Sequence, residues 1–133
     1  MDYGFYTTIP GPFEAAVQRV MDGLKMEGFG VLSDIDIQKA MKDKLGKDMP
    51  AQRILGACNP PLAYQALQAE PNVGLLLPCN VTLREADEGQ VVVGFLNPEL
   101  MVGLTNNSAM RDVAQQASAR LRRVCDALTA QSV

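Results

Sequence analysis

Residues 73–96 read VGLLLPCNVTLREADEGQVVVGFL, and this stretch decides the fold. Two apolar runs, residues 73–85 and 91–96, meet at the polar segment EADEGQ. Apolar runs joined by a short polar segment that contains glycine predict an antiparallel hairpin, whose first strand would be the longest in the chain. Around Leu76 and Val92 the predicted strands are apolar on both faces. We therefore expect helices or a second subunit to cover both sides of the sheet.

Changes of hydrophobic period on either side of the hairpin predict seven further elements. In chain order they are strand 3–9, helix 13–24, strand 29–35, helix 36–45, strand 53–58, helix 60–69 and, after the hairpin, a helix of roughly twenty residues that begins near residue 108. Asp36 and Asn59 are placed to cap helices, and Gly46 is placed to end one. Strands followed by helices in this order allow an α+β fold with an antiparallel sheet or an α/β fold with a partly parallel sheet.

The composition is that of an ordinary globular protein, because 47% of the 133 residues are hydrophobic and 20% are charged. Neither a linker nor a repeat divides the sequence, so we predict a single domain over residues 1–133. The formal net charge is −3 and the basic residues are scattered, which argues against a nucleic-acid partner. The absence of histidine excludes catalytic triads with a histidine base, imidazole metal sites and histidine-ligated haem from a single chain.

The sequence predicts a cytoplasmic protein with no membrane partner. The first eight residues, MDYGFYTT, have neither the basic nor the apolar region of a secretory signal. No apolar run approaches the ~20 residues that a membrane-spanning helix needs. The three cysteines, Cys58, Cys79 and Cys125, are an odd number without C-x-x-C spacing, which fits a reducing compartment.

Two segments carry a resemblance to a known family. GACNPPLAY at residues 56–64 and LLLPCNV at residues 75–81 resemble the central signature of domain-of-unknown-function family 302. The helix at 13–24, the segment GFGVL at 28–32 and the strand at 91–98 match that family in the same order. The resemblance implies an α+β fold with a curved antiparallel sheet backed by helices, similar to half of a TATA-binding-protein-like saddle. It also implies a homodimer. It implies no particular reaction, and since the saddle likeness is one of topology, DNA binding does not follow from it.

The candidate ligand-binding residues are Cys58, Asn59, Cys79 and Asn80, which lie where strands meet turns or prolines. If neighbouring strands bring the two thiols together, they could bind a soft metal or a haem iron, or exchange disulfides. The competing interpretation is structural and carries more weight. Cysteine is a common core residue, Asn59 suits a helix cap, and Asn80 could satisfy backbone groups near Pro78.

Other polar clusters have structural interpretations. Asp34 and Asp36 would share one strand face, which could present a carboxylate dyad, but a helix cap and a strand-end charge explain them better. The acidic residues between the hairpin strands predict a solvated turn. Three arginines of the last helix predict a solvated face, with aliphatic stems that lie over the core; they are Arg120, Arg122 and Arg123.

We therefore expect a homodimeric, non-enzymatic protein of bacterial origin that binds a small molecule or cofactor near Cys58, Asn59, Cys79 and Asn80. No catalytic residue and no metal site is assigned. A first alternative is a thiol-dependent redox protein, or a soft-metal or haem-binding protein, that uses Cys58 and Cys79. A second alternative is a structural or interaction module that acts through dimerisation.

Overall fold

A five-stranded antiparallel sheet forms one layer of the structure, a computed structural model that describes residues 2–131. Its spatial order is β1-β5-β4-β3-β2, and every neighbouring pair is antiparallel. This confirms the α+β prediction and shows that the alternative with a partly parallel sheet is wrong. The strands are β1 Gly4–Pro10, β2 Gly30–Asp36, β3 Gln52–Cys58, β4 Cys79–Glu85 and β5 Gln90–Leu96.

Within residues 2–131, five α-helices connect or follow these strands. Asp36 caps the second of them, Ile37–Leu45, by accepting a hydrogen bond from the Lys39 amide at 2.9 Å, and Gly46 ends it in the left-handed conformation, as the sequence predicts. The fourth helix lies in a stretch for which the sequence predicted no regular structure. No helix in the part of the chain that the structure describes is long and apolar enough to cross a bilayer. The helices are α1 Phe13–Met26, α2 Ile37–Leu45, α3 Pro60–Ala69, α4 Leu100–Thr105 and α5 Met110–Gln131.

The main core lies between one face of the sheet and the helices α1 and α5. Alternate residues of each strand point to this face, so Leu83 and Phe95 are buried against helix residues such as Leu24 and Leu121. Phe95 also stacks on Phe5 of β1, with ring centroids 5.3 Å apart. Burial of these large side chains is the main stabilising contribution to this layer.

A second, smaller core lies beyond one end of the sheet. It is formed by α3, α4, the first half of α5 and a 3-10 helix at Pro71–Leu76. The apolar stripe of α5 takes part in both cores, because Met110 and Val113 belong to the smaller one and Leu121 and Leu128 to the larger one. The sustained stripe predicted for this helix is therefore confirmed.

The hairpin prediction is correct in its pairing and wrong in the length of its first strand. β4 and β5 pair antiparallel through Leu83 and Val93, but β4 begins only at Cys79. The preceding apolar residues form the 3-10 helix and pack against α3 instead of extending the strand. Periodicity cannot separate a strand from another buried segment in a short apolar run, and Pro78 has no amide hydrogen for a ladder.

The second face of the sheet is open in the single chain. Helices therefore do not cover it, and of the two covers that the sequence predicts for this face, the second subunit stays a prediction. Tyr6, Thr8, Asn80 and Arg84 are exposed on this face. Val92 is half-buried there because it lies opposite Thr8 and Arg84 on the neighbouring strands. An apolar run within one strand therefore did not reveal the polar neighbours that flank it across the sheet.

A β-bulge in β2 changes which of its residues face the core. The register shifts between Val31, opposite Ala57, and Ser33, opposite Gly56. The sequence predicted Val31 and Ser33 on one face, but the extra residue of the bulge places them on different faces. The same bulge leaves Leu32 71% exposed at the edge of the sheet.

Loss of a core side chain in α5 should destabilise the whole protein. Leu121 is fully buried, so Leu121→Ala should lower the free energy of unfolding by about 2–5 kcal/mol. The control, Leu104→Ala, removes a leucine that is 68% exposed and should change it by less than about 0.5 kcal/mol. Urea unfolding followed by circular dichroism measures both. Equal destabilisation of the two variants would contradict the position of α5 in the core.

Candidate functional site

A cavity of about 330 Å³ lies between the end of the sheet and the helices of the smaller core. The ends of β3 and β4 form one wall, α3 and α5 form another, and the 3-10 helix closes a third side. Cys58, Asn59 and Cys79 line this cavity, so three of the four candidate residues lie together.

Asn80 lies outside the cavity, on the open face of the sheet, where its side chain is exposed. Successive residues inside a strand point to opposite faces, and here Cys79 lines the cavity while Asn80 points to the open face. Asn80 makes no side-chain hydrogen bond to another described residue, and the proposed role near Pro78 has no contact that supports it.

The rest of the lining is apolar and comes from residues that sequence reasoning did not assign to a site. Leu62 and Ala66 of α3 face Val113 and Ala117 of α5 across the cavity. Their helical spacing predicts burial, but it gives no sign that a space separates the two helices. Two leucines line the rim and are partly solvent-exposed; they are Leu32 and Leu67.

The two cavity thiols differ in their environment. Cys79 is buried, and burial, together with repulsion from a Cys58 thiolate, raises the pKa of Cys79 from its ordinary value of 9.0 to about 11. Cys79 is therefore a neutral thiol at physiological pH. Cys58 is half-buried, and both cysteines are free. Among the described residues, no group of three or more cysteine or carboxylate side chains is placed to hold a metal ion.

Asn59 fixes the start of α3 beside the cavity, in agreement with its predicted role as a cap. Its Oδ1 accepts a hydrogen bond from the Leu62 amide at 3.3 Å. Its Nδ2 donates to the Glu27 carbonyl at 3.3 Å, which ties α3 to the end of α1. The carboxylate of Glu27 in turn pairs with Arg123 at 2.9 Å and Arg120 at 3.8 Å.

The carboxylates considered for a dyad are both engaged in structural contacts. The Nε of Arg53 donates to Asp34 Oδ1 at 2.7 Å, and its second arm reaches Glu14 of α1 at 3.0 Å. Asp36 caps α2. The acidic turn between β4 and β5 is exposed. The guanidinium carbon of Arg122 lies 4.3 Å from the centroid of the Phe5 ring, so this arginine covers part of the main core.

Comparison with known proteins agrees with this architecture. The family described as "Domain of unknown function DUF302" matches residues 5–128. The crystal structure of an uncharacterized conserved DUF302 protein from Bacillus stearothermophilus is similar, with a TM-score of 0.87 and 27% sequence identity. The similarity covers 96% of this chain and 99% of that one. No curated protein matches the sequence.

The raised pKa of Cys79 predicts a pH-dependent stability. A thiol that ionises at about 11 when folded and near 9.0 when unfolded stabilises the protein fully below about pH 9, and this contribution is lost as the pH rises towards 11. Relative to Cys79→Ala, the wild type should lose about 2 kcal/mol of unfolding free energy between about pH 8 and pH 10.5. Urea unfolding at both pH values tests this. A difference between the proteins that stays constant would show that Cys79 is not a buried neutral thiol.

Proposed function

The chain belongs to the DUF302 family, whose description names no reaction, and on this premise we propose that it binds a small apolar molecule in the cavity beside α3. The observation that carries this proposal is the cavity itself, about 330 Å³ in volume and lined mainly by alkyl groups. Ligand pockets in proteins have this character and begin at about this size.

Release of water from the cavity wall favours this binding. Leu67 and Leu77 line the cavity and are partly exposed, so part of their alkyl surface meets solvent there. Water against such a surface is released when an apolar molecule replaces it, and about 25 cal/mol is gained for each Å² of apolar surface buried. The partly exposed rim at Leu32 and Leu67 gives a ligand a route of entry.

The groups that line the cavity favour a binding function over a catalytic one. Among the described residues of the lining, the ionisable side chains are the thiols of Cys58 and Cys79. Cys79 is neutral at physiological pH because burial raises its pKa to about 11. A thiol-dependent function remains the second candidate, since both cysteines line one cavity. Such a reaction would begin at Cys58, the more accessible of the two.

We also propose that the protein is a cytoplasmic homodimer in which a second copy covers the open face of the sheet. Tyr6 and Ile35 are 57% and 48% exposed on this face, and Ile54, Val92 and Leu96 are half-buried between them. An isologous interface requires one self-complementary patch. On this face the apolar residues of the outer strands flank the polar residues of the central strand β4, so a second copy could pair apolar groups with apolar groups and polar groups with polar groups.

The ligand proposal predicts that filling the cavity abolishes binding. Ala63→Phe places an aromatic ring in the cavity from α3, so N-phenyl-1-naphthylamine should bind to the wild type and lose at least about tenfold in affinity for the variant. Fluorescence titration of the probe measures both. The control Ala119→Phe adds the same ring at an exposed position of α5 and should leave the affinity unchanged.

Probe binding that is absent from the wild type, or unchanged in Ala63→Phe, would contradict a ligand function for this cavity. In the first case, a dimeric protein would instead favour the structural or interaction module. Rapid reaction of native Cys58 with a chromogenic thiol reagent, well ahead of the reaction of Cys79, would favour the thiol-dependent candidate.

The dimer proposal predicts that an added charge beside Arg84 on the open face separates the subunits. Val92→Arg should convert a protein of two-chain mass into one of single-chain mass, because a second guanidinium directly opposite Arg84 adds like-charge repulsion and a desolvation cost at the interface. Light scattering at micromolar concentration measures the mass. Leu45→Arg adds the same charge on the exposed surface of α2 and should remain dimeric. A wild type of single-chain mass would overturn the proposal.

A further inference from the structure

We infer that the cavity beside α3 selects uncharged ligands and rejects anionic ones. This inference rests on the proposed ligand-binding function and adds the chemical class of the ligand. The start of a helix usually attracts anions, since its first amide groups are unpaired and the helix dipole is positive there. The cavity lies at such a start, because Asn59, Leu62 and Ala63 all line it.

The first turn of α3 has no amide hydrogen to offer. Pro60 and Pro61 occupy its first two positions, and proline has no N–H group. The amide of Leu62 is bonded to the side chain of Asn59, and the amide of Ala63 is bonded to the Asn59 carbonyl at 2.9 Å. An anion placed in the cavity would find every donor of this turn either absent or already bonded.

The side chains of the cavity provide no compensation for an anion either. Among the described residues, neither lysine nor arginine lines it. Both ends of the Asn59 amide are engaged, one with Leu62 and the other with the Glu27 carbonyl. Arg120 and Arg123 share the carboxylate of Glu27 and lie outside the lining.

The consequence follows from desolvation. An anion that enters the cavity loses its hydration and gains no counter-charge there. The side-chain donors left to it are the weakly donating thiols of Cys58 and Cys79, so the exchange is unfavourable. An uncharged apolar molecule loses only weakly bound water and gains contact with alkyl groups. The cavity therefore distinguishes a neutral molecule from an anion of the same carbon skeleton.

Two fluorescent probes with one skeleton test this directly. N-phenyl-1-naphthylamine is uncharged, and 8-anilinonaphthalene-1-sulfonate is the same molecule with an added sulfonate. Each is titrated into the wild type and into Ala63→Phe, and only the binding that the variant loses is assigned to the cavity. We expect the sulfonate to bind the cavity at least about 100-fold more weakly than the neutral probe.

The possible results separate the two proposals. Equal or tighter binding of the sulfonate at the cavity would overturn the inference and leave the ligand-binding function standing. If Ala63→Phe lowers the binding of neither probe, the ligand-binding function itself fails, and the inference fails with it.

Two variants examine the cause of the selectivity. Leu67→Lys adds a cation at the rim and should raise sulfonate binding at least about tenfold, whereas Leu67→Met should keep the preference for the neutral probe. Unchanged sulfonate binding in Leu67→Lys would overturn the explanation by a missing cation.

Discussion

The burial of one apolar stripe along α5 is the constraint on which the rest of the structure depends. Its second half, with Leu121 and Leu128, packs on the sheet, and its first half, with Met110 and Val113, packs beside α3. One rigid helix therefore fixes the distance between the end of the sheet and the smaller core. The cavity occupies the space that this distance leaves, so its size depends on contacts that lie outside its own lining.

Sequence reasoning predicted the features that depend on local chemistry. Asp36 and Asn59 are caps because a side-chain acceptor must stand before a helix, and the hairpin pairs as expected because its turn and its strands lie next to each other in the chain. It failed where tertiary contacts decide. The apolar residues before Cys79 are compatible with either a strand or a 3-10 helix. Their packing against α3 selects the 3-10 helix.

The candidate site was predicted only in part, because its geometry depends on tertiary contacts. Cys58 and Cys79 lie on neighbouring strands, so the antiparallel sheet brings them to one end, where both line the cavity. Alternation along β4 separates Asn80 from Cys79, but the sequence alone could not exclude Asn80, because Ala57 and Cys58 are also successive residues and both line the cavity at the end of β3. The position of Leu32 at the rim of the cavity could not have been predicted. It depends on the β-bulge in β2, and no residue pattern in that strand indicates a bulge.

The lining of the cavity argues that its space is built into the sequence. Small residues stand on each of its walls, and they are Ala57, Ala63, Ala66, Gly74 and Ala117. Apolar surface that faces water contributes no burial free energy, so an unfilled space of this kind is less stabilising than a packed contact. A single larger side chain at Ala63 would cover part of this surface. Small residues on several elements at once leave it wet in the unliganded protein, and an uncharged apolar ligand would stabilise the fold by covering it.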